Sequence, residues 1–186
     1  DLDGLPESEI AAAAEAAAER GLAGKWLLTL QNTTEQPELA YLTNRALRER
    51  LHAASSARGR HGGDADTRAI VRRLSEIRAQ QAKLLGFPNF AAYHLDDEMA
   101  GTPEKALALL TDMVPAATAK ARGEAARMQQ MIDADGGGFT LAASDWPFYA
   151  ERVRQADYDL DEDAILRYFE FDRVMQKCQT ICEVFV

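Results

Sequence analysis

The residues able to do chemistry in this sequence are few and scattered. Its three histidines, His52, His61 and His94, stand far apart, and none has a second histidine four residues away, the spacing that sets two metal ligands on one helix face. His94 and Glu98 do have that spacing, with Asp96 and Asp97 between them. A solvated acidic turn accounts for that group better than a metal site. Asp157, Asp159, Asp161 and Asp163 alternate like the opening of a calcium loop, whose carboxylates supply hard oxygen ligands. The sixth position, where the sharp turn needs Gly, holds Glu162, and the twelfth, which needs a bidentate Glu, holds Tyr168. An acidic helix start, favoured by the positive helix N-terminus, explains the run.

Three further groups have structural readings. Cys178 and Cys182, four apart on a possible helix, lack His or Cys neighbours for a soft metal and read as free thiols. Gly136 to Gly138 are followed by no Gly-Lys-Ser/Thr, so they are a helix stop and not a phosphate loop. Trp146, Phe148 and Tyr149 could stack on a ligand, but aromatic clusters at helical spacing are usually core. No residue is therefore assigned a catalytic, cofactor-binding or metal-binding role.

The elements that would position these groups are mainly α-helical. Pro6 begins a helix through the Ala-rich run Ile10 to Arg20, closed by Gly21. Lys25 to Leu30, short and apolar between Gly24 and a polar cluster, predicts a strand. From Pro37 the spacing of Leu39, Leu42, Ala46 and Ala53 predicts a helix fraying near Ser55, with Arg45, Arg48, Glu49 and Arg50 as its solvated face. Residues 58 to 65 are a Gly-rich loop, and Asp66 can cap a helix whose face carries Ile70, Leu74, Ile77, Gln81 and Leu84 up to Gly86. Pro88 and Asn89 turn the chain into a short helix.

Thr102-Pro103-Glu104 starts a helix predicted to run to Asp133. Pro115 should kink or break it, because proline cannot donate to the carbonyl of Thr111 and crowds it. Asp145 and Asp161 can cap two further helices, the second carrying Ile165, Tyr168 and Phe169.

The 186 residues, 47% hydrophobic, suffice for a sizeable core. A formal charge of -9 argues against a general nucleic-acid binder. No apolar run approaches the roughly 20 residues that span a bilayer. Two cysteines are too few for a disulfide framework, which points to the cytoplasm. A start at Asp1, without a secretion signal, suggests that the natural N-terminus lies upstream.

The wording of the sequence goes further than its chemistry. Residues 27 to 50 (LLTLQNTTEQPELAYLTNRALRER), 82 to 99 (AKLLGFPNFAAYHLDDEM) and 145 to 174 (DWPFYAERVRQADYDLDEDAILRYFEFDRV) resemble, in order and spacing, bacterial peptidyl-dipeptidases of the thimet oligopeptidase family. The resemblance covers residues 1 to about 174. It implies a helical fragment of a two-lobed, neurolysin-like zinc peptidase fold, whose deep channel admits short unfolded peptides. It also implies zinc held by a His-Glu-x-x-His helix plus a downstream Glu, with the Glu of the motif activating the metal-bound water. That motif does not occur in these 186 residues, so no ligand or catalytic position carries over. Residues 175 to 186 depart from the family pattern and form a divergent tail.

The expectation is thus a single helical fragment, residues 1 to 186, of a larger zinc metallopeptidase that hydrolyses short oligopeptides and releases C-terminal dipeptides. The fragment supplies scaffold and channel wall and is inactive alone. Short peptides are the expected partners of the whole protein, with zinc its cofactor and none in the fragment, no nucleic acid, and no membrane. Self-association is expected, because a partial fold exposes apolar surface. The rival reading is a non-catalytic helical module that binds peptides or partner helices through an apolar groove. A third, a small metal-binding protein using His94 and its acidic neighbours, would melt at higher temperature with added metal.

Overall fold

A computed structural model describes residues 2–30, 36–158, 165 and 168–184. Its elements are α1 (Glu7–Glu19), a 3-10 turn (Pro37–Ala40), α2 (Arg45–Ser56), a second 3-10 turn (Gly63–Ala65), α3 (Arg68–Leu84), α4 (Phe90–Leu95), α5 (Pro103–Ala134), α6 (Trp146–Tyr158) and α7 (Phe171–Val184). The mainly helical expectation holds, and there is no strand among the described residues.

The expected strand at Lys25–Leu30 is instead an irregular segment laid against α1. A strand needs a second strand to pair its amides, and here the partners are a helix and a side chain. Leu27 N–H donates to the Ala13 carbonyl at 2.9 Å, and Arg58 Nη1 donates to the Leu30 carbonyl at 2.7 Å. The buried Ala13 and Ala17 face of α1 has no side chain bulk to hold the segment away.

Local signals set the ends of most helices. Thr102 caps α5, its hydroxyl accepting from Lys105 N–H at 3.3 Å, with Pro103 in the first turn. Gly21, Gly86 and Gly136 follow the ends of α1, α3 and α5. At the last, Gly137 N–H returns to the Ile132 carbonyl and Gly136 N–H to that of Asp133, satisfying carbonyls the helix leaves open.

One further expectation is corrected. The helix foreseen from Pro37 is two pieces: the 3-10 turn ends at Ala40, and α2 begins only after Asn44, whose side chain accepts from Leu47 N–H at 3.1 Å. The intervening Thr43 is held by Asp3, whose carbonyl accepts both its N–H at 2.9 Å and its hydroxyl at 3.0 Å. Gly4 makes that approach possible, because a Cβ there would land on the Tyr41 carbonyl oxygen and its φ is +95°. The helix expected from Thr102 to Asp133 is found as α5, 32 residues long and continuous with Pro115 inside it, so of the kink or break expected at Pro115 the break does not occur. Asn44→Ala should lower stability by about 1 kcal/mol, the usual worth of an N-cap, read as a shift in urea midpoint at unchanged slope.

Two apolar clusters form the core of the described residues. Leu5, Leu39, Leu42 and Leu51 form the first, with Ile10, Leu28, Leu30 and Leu47 against them. Met128, Ile132 and Tyr149 form the second, with Phe139, Leu141, Trp146 and Phe148 packed on it. Gln129 fastens the loop beside this second cluster, donating to the Phe139 carbonyl and accepting from Leu141 N–H, at 2.9 and 2.8 Å. The aromatic triad of the sequence is core, as read from its spacing.

Between the clusters, among the described residues, α3 packs on α4 alone, and α4 on α5. The apolar face foreseen on α3 exists but is uncovered: Ile70, Val71, Leu74 and Ile77 are 44–65% exposed. Leu107, Leu109, Leu110, Met113 and Val114 of α5 are 56–67% exposed. The accessible surface is 14225 Å², against roughly 8,900 Å² for a compact monomer of 20.5 kDa.

Candidate functional site

Arg48, placed by its neighbours on a solvated face, is 2% exposed, and Asp145, expected to serve as a helix cap, is 0% exposed. They meet across 97 residues of sequence: Arg48 Nη2 donates to Asp145 Oδ1 at 2.8 Å. Arg45 adds its Nε, 3.2 Å from each carboxylate oxygen, and its Nη2, 3.2 Å from Oδ2. Ala142 N–H donates to Oδ2 at 3.2 Å. Asp145 does precede α6, but its carboxylate is spent on these partners and not on the first turn of that helix.

The helical register of α2 explains why both arginines reach the same carboxylate, since positions three apart lie on one face. Arg48 Nη1 also donates to the carbonyls of Leu42 and Thr43, at 2.8 and 3.0 Å. Both guanidinium groups lie over rings of the second cluster, Arg45 4.2 Å from the Phe139 centroid and Arg48 4.4 Å from that of Phe148. Arg45 reaches out to Glu49 at 2.9 Å. The node thus joins α2 and the first cluster to α6 and the second.

Its electrostatics are those of a fixed ion pair. Burial pushes the Asp145 carboxyl up, but hydrogen bonds from Arg48, Arg45 and Ala142 N–H together outweigh it and hold the group below its ordinary value. Arg45 is held charged, chiefly by its hydrogen bond to Asp145. A carboxylate closed off from solvent and satisfied on both oxygens offers no lone pair to a substrate, so the node is structural and not an acid or base.

Because Asp145 titrates lower folded than unfolded, the unfolded chain takes up its proton first on acidification. Its contribution is complete above the unfolded value of 3.8 and is lost as pH falls through the folded value. Urea midpoints should therefore fall below about pH 4, and Asp145→Asn should remove part of that dependence.

A hollow of about 720 Å³ opens beside the first cluster, walled by Leu2, Ile10, Trp26, Leu30 and Leu47 with Asp3 and Arg50 as its charged groups. That volume lies within the usual range for small-molecule sites. Among the described residues its walls carry no Ser, Cys or His, so those walls suit an apolar group.

The residues first singled out for chemistry are not drawn together. His52 lies on α2, His61 before the second 3-10 turn, and His94 on α4, stacked on Phe90 at 5.8 Å. Asp157 pairs with Arg127 of α5. Asp159, Asp161 and Asp163 lie outside the described residues, as does most of the helix expected after Asp161. Cys178 is an exposed free thiol on α7, and the side chain of Cys182 lies outside the described residues. Among the described residues no three His, Cys, Asp or Glu side chains are grouped to hold a metal ion. The described residues therefore do not fit a zinc site.

Residues 38–185 match the sequence pattern of peptidase family M3. The chain belongs to that family. Over 95% of its length it is 51% identical to the dipeptidyl carboxypeptidase of Escherichia coli. It is 33% identical over 91% of its length to oligopeptidase A of the same organism. Over 94% it is 31% identical to an organellar oligopeptidase A, chloroplastic/mitochondrial, of Arabidopsis thaliana. The chain spans about a quarter of these relatives' own lengths, 26%, 25% and 23% respectively. No helix among the described residues is long and apolar enough to cross a membrane.

Sequence reasoning missed Arg48 and Asp145 as partners. The one available signal was an unpaired arginine between Leu47 and Leu51, on the same turn as the apolar stripe.

Proposed function

We propose that the M3 protein to which this chain belongs is a zinc metallopeptidase that hydrolyses short unfolded peptides and releases dipeptides from their C-termini. The observation that carries this reading is the 51% identity to a dipeptidyl carboxypeptidase across 95% of the chain. Residues 1–186 are one helical piece of that protein, scaffold and part of the wall around the peptide channel, and inactive alone. The zinc ligands belong to a different part of the longer protein, since these 186 residues contain no His-Glu-x-x-His.

The contribution of this chain is rigid placement. α5 is fastened to α6 by the Arg127–Asp157 and Arg152–Asp135 ion pairs, and α6 to α2 by the Asp145 node. The compartment we propose is the cytoplasm, where the exposed thiol of Cys178 stays reduced.

The test compares the pure chain with the longer protein from the same gene on a blocked oligopeptide. The chain should take up no stoichiometric zinc and show no chelator-sensitive cleavage. The longer protein should release C-terminal dipeptides and stop when zinc is removed. Cleavage by the chain alone, or a longer protein that leaves C-terminal dipeptides in place, overturns the proposal.

A further inference from the structure

We draw no further inference here: the strongest candidate, the uncovered apolar face that α3 and the first half of α5 present through Ile70, Leu74, Ile77, Leu107 and Leu110, belongs to a chain that spans about a quarter of its relatives' lengths, and nothing in the structure shows what covers it.

Discussion

Asp145→Ala should cost about 3–5 kcal/mol of stability, because it strands Arg48 in the interior without its anion. Arg48 is 2% exposed and already spends Nη1 on the Leu42 and Thr43 carbonyls. Those carbonyls are neutral dipoles, and they cannot replace a carboxylate 2.8 Å from Nη2. Removing one member of a buried pair costs far more than the pair is worth as a whole, since the surviving charge keeps its desolvation penalty. The double variant Arg48→Met with Asp145→Leu should therefore recover much of the loss. Urea unfolding of the two single variants and the double variant gives the coupling directly. Equal losses in the double and the singles would sink the account.

The same comparison reports on the joining of the two clusters. The node ties α2 through Arg45 and Arg48 to Asp145, just before α6, and α6 itself packs on the Pro37–Ala40 turn, so loss of the node should loosen the contact between clusters before either cluster melts. Hydrogen exchange should rise first at α2 and the start of α6. A uniform rise across all helices would show instead that the chain unfolds only as one unit.

Ile132→Ala is the second large effect, expected to destabilise by about 2–5 kcal/mol. The side chain is fully buried against Met128 and Tyr149. Its Cγ2 also lies only 2.9 Å from where a Cβ on Gly137 would be, so the turn after α5 closes directly over it. Truncation leaves a cavity that this tight turn cannot collapse to fill, because Gly137 N–H is already bonded to the Ile132 carbonyl. Met99→Ala is the control: its side chain is fully exposed in the turn before α5, and the change should stay within about 0.5 kcal/mol. Denaturant midpoints at matched slopes decide between them, and equal effects would mean that the second cluster does not pack as described.

Where an element begins and ends was legible in the sequence wherever the signal was local. Thr102 with Pro103, and the glycines at 21, 86 and 136, act through hydrogen bonds a few residues long, which any context preserves. The Ala-rich run of α1 and the aromatic triad of α6 are likewise properties of short windows. Membership of the M3 family was legible in three separated blocks of wording, and the chemistry of the scattered histidines added nothing to it.

What only the tertiary structure decided depends on partners far away in the chain. Arg48 reads as one charge among several on α2, and nothing within ten residues reveals an anion 97 positions on. Residues 25–30 have strand composition, yet a strand exists only if another pairs with it, and here α1 and Arg58 took the amides and carbonyls. The break between Ala40 and Arg45 follows from Asp3 and Gly4 gripping Tyr41–Thr43 from the far end of the chain. Pro115 sits in an unbroken helix because the loss of one backbone hydrogen bond does not outweigh the turns on either side. The apolar periodicity of α3 was read correctly as a face, but periodicity states only that a face exists. Whether anything covers it is a property of neighbours, and among the described residues α3 packs on one helix, α4.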